Sequence, residues 1–260
     1  MEVDSGISFF SRSEALLGGA AMARLAAARA LVVGVGGVGS WCAEALVRTG
    51  LGRITLMDDD VVAESNVNRQ CPATSRTIGR PKVEAMAERL REISPACEVT
   101  AIMARFAGTA RDSSLAGASS LTSTTRLASL SSYDLVIDAI DSIDSKATLI
   151  LAATEAGVPI ASSMGAALRL DPTKVRVTRF EKVEGDGLAR ALRQRFKKIG
   201  RFPVTKFSCV WSTEQVHGNQ TIKQSNNQTM PKGSLMPVTA TFGMCLASEA
   251  IKILTKGEMK

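Results

Sequence analysis

Cysteine is scarce in this sequence. Five cysteines occur among 260 residues, and no two of them stand close enough to form a CxxC pair. This spacing disfavours a disulfide framework and a zinc site built from four cysteines. Aromatic residues make up only 4% of the chain, which disfavours a stacking platform for single-stranded nucleic acid. The cysteine usage predicts a protein of a reducing, intracellular compartment.

Signals for export or membrane insertion are also missing. The N-terminus, MEVDSGISFF, lacks the basic segment and apolar stretch of a secretory signal. No uninterrupted apolar run approaches the roughly 18 residues of a membrane-spanning helix. We therefore expect a cytoplasmic protein without membrane insertion, while association with a mitochondrial surface through a partner stays open.

The remaining composition predicts a single domain over residues 1–260. Hydrophobic residues make up 45% of the chain and charged residues 22%, which is enough for a substantial core. Apolar strand-like runs alternate with helical segments over residues 13–165, which predicts a Rossmann-like, doubly wound α/β core with a mostly parallel sheet. Residues 166–260 are predicted to form a basic α/β extension of that core.

Local composition predicts both ends of the chain and two loops. A helix is expected from Ser13 to Ala28, with Ser13 as its cap, and a closing helix from Pro237 to Lys256. Residues 108–132 are rich in Ser, Thr, Ala and Gly and predict a flexible surface insertion. The amide-rich residues 215–234 predict a mobile loop.

A glycine-rich turn joins the first predicted strand of the core to a helix. Its glycines satisfy the pattern GxGxxG and are Gly34, Gly36, Gly37 and Gly39. They permit a close approach of the backbone to a phosphate, and the following helix N-terminus offers free N–H groups. Asp58 follows Gly34 by 24 residues at the end of the next strand, where a carboxylate commonly holds ribose hydroxyls. The combination predicts nucleotide binding.

The glycine pattern does not by itself distinguish a nicotinamide cofactor from ATP. A dehydrogenase normally needs a proton donor such as His, Lys or Tyr beside the nicotinamide. The single histidine, His217, lies in the amide-rich segment, and the single tyrosine, Tyr133, precedes a predicted strand. Because neither is well placed, the sequence favours ATP.

Two basic residues after Asp58 also favour a nucleoside triphosphate. Lys82 falls in the first turn of a helix predicted from Pro81 to Ile93, where a cation opposes the helix dipole. An anionic ligand explains this placement better than helix stability does. Arg69 is the second cation, and together the two could stabilise charge during attack at phosphorus. Ordinary surface charge is the alternative interpretation of both.

A carboxylate follows another strand, predicted from Asp134 to Ala139. In the run DAIDS, Asp141 comes directly after the carboxyl end of that strand, where ligands of open α/β sheets bind. A carboxylate there suits a Mg²⁺ ion that bridges phosphate oxygens. Asp138 could instead hold the loop through backbone hydrogen bonds, so Asp141 is the stronger metal candidate.

Positive charge is concentrated in one segment. Residues 169–206 contain twelve basic and four acidic side chains, an excess of eight, whereas the whole chain carries a net charge of +7. A charge excess confined to one segment predicts a polyanionic partner. A solvated helix face is the alternative.

The first half of the chain resembles the ubiquitin-activating-enzyme-like, ThiF-type adenylyltransferases. GVGGVGS, ITLMDDD, SNVNRQ, GRPKVEA and DAIDS occur in that family's order and spacing within residues 25–163. The resemblance implies attack by a carboxylate on the α-phosphate of ATP, with Mg²⁺ bound by Asp141 and a monovalent cation left open. It implies catalytic roles for Arg69, Lys82 and Asp141. It implies a nucleotide site that includes Asp58 at the ribose together with Asp60, Asn66, Arg69, Gln70 and Lys82.

The second half is similar to the tRNA threonylcarbamoyladenosine dehydratases, through segments such as DPTKVRVTRF, LARALRQRFK and PVTATFG. That similarity implies adenylation and cyclisation of N6-threonylcarbamoyladenosine in the tRNA anticodon loop, by a homodimer, with a sulfur-transfer partner left open. Arg12 is the nearest candidate for the family's N-terminal arginine, which reaches the partner subunit's ATP. The register of Arg12 is shifted relative to the family pattern.

Two rival functions and one residue stay open at this point. An adenylyltransferase that activates the C-terminus of a ubiquitin-like or sulfur-carrier protein is the first rival, disfavoured because the CxxC pairs are missing. A non-enzymatic RNA-binding protein with a relic nucleotide site is the second. Cys209 could accept an acyl group, although a buried structural thiol is the favoured interpretation.

Overall fold

The computed structural model describes residues 9–109, 124–127, 129–215 and 233–256. The strands within these ranges are β1 (Arg29–Val33), β2 (Arg53–Met57), β3 (Glu98–Ile102), β4 (Arg105–Thr109), β5 (Thr124–Leu127), β6 (Leu135–Asp138), β7 (Ile160–Ser163), β8 (Val175–Arg179) and β9 (Ser208–Ser212). The α-helices are α1 (Ser11–Leu17), α2 (Gly19–Ala27), α3 (Gly39–Thr49), α4 (Lys82–Ile93), α5 (Ile143–Glu155), α6 (Gly187–Ile199) and α7 (Met236–Leu254).

Seven of these strands form one sheet in the order β3-β2-β1-β6-β7-β9-β8. Every pairing is parallel except that of the edge strand β8 with β9. From β1 the sheet continues through β2 to β3, and from β6 it continues in the opposite direction through β7, β9 and β8. The strand order therefore reverses between β1 and β6. This arrangement confirms the predicted Rossmann-like, mostly parallel α/β fold.

Both faces of the sheet are covered, which explains why its central strands β1 and β6 are mostly apolar. In β1, Val32 packs with residues of α3, α4 and α7 on one face, while Leu31 and Val33 pack with α5 and α6 on the other. β8 and β9 belong to the same sheet, so the second half of the chain extends the core. By length and composition α7 could cross a membrane. Its buried residues, which include Phe242 and Leu246, pack in the core, and this accounts for its apolar character.

Two sequence predictions are wrong in part. The N-terminal helix is interrupted by Gly18 at φ 82°, so α1 and α2 are separate and α1 begins at Ser11 without a cap at Ser13. Within the predicted insertion 108–132, β5 forms a parallel ladder with β4, so this part is regular structure. Residues 110–123 and 128 lie outside the described residues, as do residues 216–232 of the predicted mobile loop.

A buried carboxylate joins α3 to α4. Glu44 is 5% exposed, and its carboxylate accepts hydrogen bonds from Arg48, Arg89 and the Cys71 thiol. Burial by itself raises the pKa of Glu44, but these hydrogen bonds outweigh it and lower the pKa to about 2. The ionised carboxylate therefore stabilises the packing of the two helices.

Replacing Glu44 by Gln should make the free energy of unfolding depend less on pH in the acidic range. The folded pKa of Glu44, about 2, lies below its ordinary value of 4.5, so its stabilising effect is complete above pH 4.5 and disappears as the pH falls toward 2. Denaturant unfolding of the wild type and of Glu44→Gln should give a difference in free energy that shrinks over this window. A Glu88→Gln variant, which alters an exposed ion pair with Arg80, is the control. A difference for Glu44→Gln that stays constant with pH would contradict the account.

Candidate active site

A cavity of about 1150 Å³ opens where β1, β2, β6 and β7 end. This is the edge at which strand order reverses between β1 and β6, the usual ligand position in open α/β sheets. The predicted site residues that line it are Gly34, Gly36, Gly37, Asp58, Asp60, Asn66, Arg69, Gln70, Lys82 and Asp141. The structure therefore brings together most of the residues that the sequence identified.

The glycine loop is packed so closely that side chains are excluded from it. Gly34 has φ 91°, and a Cβ atom there would lie 2.6 Å from the Ala139 carbonyl oxygen. A Cβ atom on Gly39, the first residue of α3, would overlap the Gly34 carbonyl. These glycines are required to fold the turn, while Gly36 and Gly37 face the cavity and allow a ligand to reach the backbone.

Asp58 is anchored beneath the glycine loop. Its carboxylate accepts hydrogen bonds from the Val35 N–H at 2.6 Å and the Asp60 N–H at 2.9 Å. Burial raises the pKa of Asp58 above its ordinary value, and the Lys82 cation acts in the opposite direction. The side chain therefore links the end of β2 to the loop and lines the cavity at the position expected for a ribose-binding carboxylate.

Lys82 has a partner within the chain that the sequence argument did not include. The residue is 5% exposed, and its Nζ lies 2.6 Å from an Asp60 oxygen and 3.9 Å from an Asp58 oxygen. The ion pairs offset the unfavourable helix-dipole position, so that position alone does not require a ligand. Lys82 nevertheless lines the cavity beside the acidic run.

The SNVNRQ segment forms another part of the wall. The Asn66 side chain accepts a hydrogen bond from the Ala63 N–H, and Arg69 donates to the Ser65 carbonyl. Gln70 is 6% exposed, and its side-chain carbonyl has no hydrogen-bond partner among the described residues. Asn66 thus shapes the local backbone, while Arg69 and Gln70 contribute polar groups to the cavity.

A buried network that the sequence analysis missed supports the loop after β6. The Asp138 carboxylate lies 2.8 Å from Lys146 Nζ and accepts a hydrogen bond from the Ser162 hydroxyl at 2.6 Å. Lys146 also donates to the Ile140 carbonyl at 2.9 Å, and both charged side chains are fully buried. The sequence does contain a signal for the burial of Lys146, because this residue lies on the same face of α5 as the apolar Ile150, four residues later.

Asp141 lies beyond this supported loop and faces the cavity. It is exposed, and no hydrogen bond or ion pair holds its carboxylate within the described parts of the chain. By contrast, Asp138 accepts a hydrogen bond from the Ile140 N–H, the loop-holding role considered for it from sequence. Asp141 therefore offers free carboxylate oxygens for a ligand or metal.

Part of the basic segment serves the structure and not a partner. Arg169 is 4% exposed and donates to the Gly165 carbonyl, the Glu214 carbonyl and the Asp186 carboxylate. Arg193 donates to the Phe180 carbonyl. The interpretation of the whole segment as partner-facing is therefore wrong for Arg169, whose charge is neutralised by Asp186 at 2.8 Å.

The remaining candidates lie away from the cavity lining. Arg12 is exposed on α1 and does not line the cavity of its own chain, so a role across a dimer stays a prediction. Cys209 is fully buried in β9, and burial raises the pKa of its thiol well above the ordinary value. A thiol held in this way is poorly suited to act as a nucleophile.

The fold and the cavity together define an α/β protein with a nucleotide-type site at the reversal of strand order. The ThiF family matches residues 10–260, and the chain belongs to that family. A tRNA threonylcarbamoyladenosine dehydratase of Escherichia coli K12 is 37% identical over 264 residues, covering 94% of this chain and 92% of the relative. A dehydratase of the same name from Haemophilus influenzae is 36% identical and covers 90% of this chain and 88% of its own length.

Solved structures agree with this assignment. The E. coli tRNA N6-threonylcarbamoyladenosine dehydratase in complex with ATP superposes with a TM-score of 0.76 at 37% identity, covering 96% of this chain and 97% of that one. The sequence resemblance to ThiF-type enzymes is thereby confirmed over nearly the full chain, including the second half.

Removing the Asp186 carboxylate should destabilise the protein strongly. Asp186→Ala leaves the buried Arg169 guanidinium unpaired and removes the side chain that caps α6 by accepting from the Ala189 N–H. We expect a loss of about 3–5 kcal/mol in the free energy of unfolding, measured by denaturant titration. Glu88→Ala, which breaks an exposed pair, should cost less than about 1 kcal/mol. Equal losses of unfolding free energy in the two variants would show that the buried pair of Arg169 and Asp186 stabilises the fold no more than an exposed pair does.

Proposed function

We propose that this chain catalyses the ATP-dependent dehydration of N6-threonylcarbamoyladenosine in tRNA, by adenylating the threonyl carboxylate and promoting its cyclisation. The observation that carries the proposal is the joint placement of the glycine loop, Asp58, Arg69, Lys82 and Asp141 around one cavity. The nearly full-length similarity to dehydratases, one of them solved with ATP, supports the choice of substrate.

The position of each residue in the cavity gives it a different role in the proposed reaction. Asp58, fixed by the Val35 N–H, accepts hydrogen bonds from the ribose hydroxyls, and the backbone of Gly36 and Gly37 approaches the phosphates. Arg69 and Lys82 stabilise negative charge on the α-phosphate and on the departing pyrophosphate. Asp60 and Gln70 complete the nucleotide side of the cavity, with Asp60 orienting Lys82.

The substrate's own atoms supply both bond-forming groups. The threonyl carboxylate oxygen attacks the α-phosphorus, and pyrophosphate leaves. Another atom of the same modified base then attacks the activated carbonyl carbon, which closes the ring and releases AMP. One water is lost overall from the nucleoside, so no enzyme nucleophile is needed, in keeping with the burial of Cys209.

Mg²⁺ is the metal that fits the cavity. Asp141 presents a carboxylate without a partner among the described residues, and hard oxygen ligands from one or two carboxylates plus phosphates are what Mg²⁺ prefers. When bound, the ion would neutralise charge on the ATP phosphates. Asp59 is a weaker ligand candidate because Arg105 already lies 2.8 Å from its carboxylate.

The proposal also includes the binding partners of the protein and its cellular compartment. A homodimer would let Arg12, exposed on α1, reach the ATP of a second subunit. The anticodon loop is the expected site on tRNA, and a sulfur-transfer protein is a candidate partner. Exposed basic residues of the segment 169–206 supply phosphate contacts for tRNA, and they include Lys174, Arg176, Arg179, Lys182, Lys198 and Lys206. The cytoplasm, where tRNA is found, is the proposed compartment.

Mass spectrometry of nucleosides tests the function directly. Purified protein is incubated with ATP, Mg²⁺ and tRNA that carries N6-threonylcarbamoyladenosine, and the nucleosides are then digested and weighed. Loss of one water from the modified nucleoside, dependent on ATP, is the expected result. An unchanged nucleoside would refute the proposal, and pyrophosphate exchange stimulated by a carrier protein instead of tRNA would favour the carrier-activating alternative.

The same assay tests the assignment of Asp141. Asp141→Ala should reduce turnover by about a hundredfold or more, because it removes the carboxylate that would hold Mg²⁺ at the ATP phosphates. Asp144→Ala is a matched control, since Asp144 is exposed, lies three residues further on and is absent from the cavity lining. Similar turnover in the two variants, with both folded, would remove Asp141 from the catalytic site.

A further inference from the structure

The cavity has a second wall that the nucleotide motifs do not account for. The cavity volume of about 1150 Å³ is larger than the roughly 300–1,000 Å³ typical of a site for one small ligand. The glycine loop and Asp58 follow β1 and β2, whereas residues 163–169, 185–188, 190 and 191 line the cavity from β7 and α6. In the sheet, β7 is separated from β1 by β6, so the two sets approach the cavity from different sides.

The second wall is held in a fixed shape by Arg169. The guanidinium joins the Gly165 carbonyl, the Glu214 carbonyl and the Asp186 carboxylate, and so fastens the segment after β7 to the start of α6. Leu168, in this segment, adopts a left-handed conformation with φ 62°. A strained backbone beside a cavity is retained when the surrounding contacts fix it.

One cation on this wall has no side-chain partner among the residues that the structure describes. Arg190 lines the cavity one turn into α6, and its backbone N–H donates to the Asp186 carbonyl at 3.1 Å. Its side chain is exposed, and within the described ranges no hydrogen bond or ion pair engages its guanidinium. Asp186, the nearest acidic residue in the sequence of this wall, is already paired with Arg169. Arg190 therefore brings an uncompensated positive charge to the cavity.

We propose that Arg190 binds an oxyanion of the RNA substrate, and that the wall formed by residues 163–169 and 185–191 holds the nucleotide to be modified opposite ATP. This rests on the proposed function and adds a substrate-binding residue to it. An arginine fork suits either source of that oxyanion, a backbone phosphate beside the modified adenosine or its threonyl carboxylate. The ATP phosphates already have Arg69 and Lys82 on the other side of the cavity.

The test compares Arg190→Ala, Arg190→Lys and Lys197→Ala. Lys197 lies on the same helix and is exposed outside the cavity, so its variant reports the general effect of removing one positive charge. For each folded variant, kcat and KM for modified tRNA are measured by nucleoside mass spectrometry, and Kd for ATP alone by calorimetry. Binding of unmodified tRNA is measured in parallel.

Arg190→Ala should raise the KM for modified tRNA about ten- to a hundredfold, with ATP affinity unchanged, because one charge-assisted contact is lost. Arg190→Lys should recover part of the loss, and Lys197→Ala should change KM at least fivefold less than Arg190→Ala does. If unmodified tRNA loses affinity equally, the oxyanion is a phosphate, and if only modified tRNA does, it is the carboxylate.

The inference is overturned if Arg190→Ala behaves like Lys197→Ala, or if it weakens ATP binding in the absence of tRNA. Wild-type protein that leaves the modified nucleoside unchanged would overturn the proposed function and this inference with it. Wild-type conversion with an unaffected Arg190→Ala variant would overturn only the role of Arg190.

Discussion

The site depends on the close approach of two backbone segments at the point where β1 and β6 end. The Gly34 backbone passes so near the Ala139 carbonyl that a Cβ atom would lie 2.6 Å from that oxygen. The loop after β6 cannot move away, because Lys146 binds the Ile140 carbonyl while paired with Asp138 in a fully buried position. Removing either charge would leave the other unpaired in the interior, which is strongly unfavourable. The glycine loop and the Asp141 loop are thus fixed relative to each other.

Charges around the cavity fall into two groups with different consequences. Arg169 is buried and paired with Asp186, so it shapes the site, whereas Lys82 is buried beside Asp60 and also lines the cavity. Asp141 and Arg190 face the cavity without partners among the described residues, and they are free to meet a metal or an anion. The proposed site holds a polyanionic nucleotide and an anionic substrate together, because Arg69 and Lys82 supply positive charge to the first and Arg190 supplies it to the second.

The features predicted well from the sequence were those controlled by local chemistry. The glycine loop, Asp58 at the end of β2, and the helix predicted from Pro81 to Ile93, observed as α4, follow from short-range patterns and strand–helix alternation. What the sequence could not supply depended on contacts between distant residues. Arg169 was predicted to face a partner, but it is buried and paired with Asp186. The buried pair of Lys146 with Asp138 was not predicted. Gly18 divided the N-terminal helix because a single residue adopted positive φ.

The central claim is that ATP activates a carboxylate carried on tRNA by transfer of AMP. The most direct test is to measure the nucleotide products of ATP alongside the dehydrated nucleoside in a single incubation. The account predicts one AMP and one pyrophosphate for each nucleoside that loses water, with little AMP formed when modified tRNA is left out. Formation of ADP in proportion to dehydration would contradict it, because the γ-phosphate would then have been transferred instead.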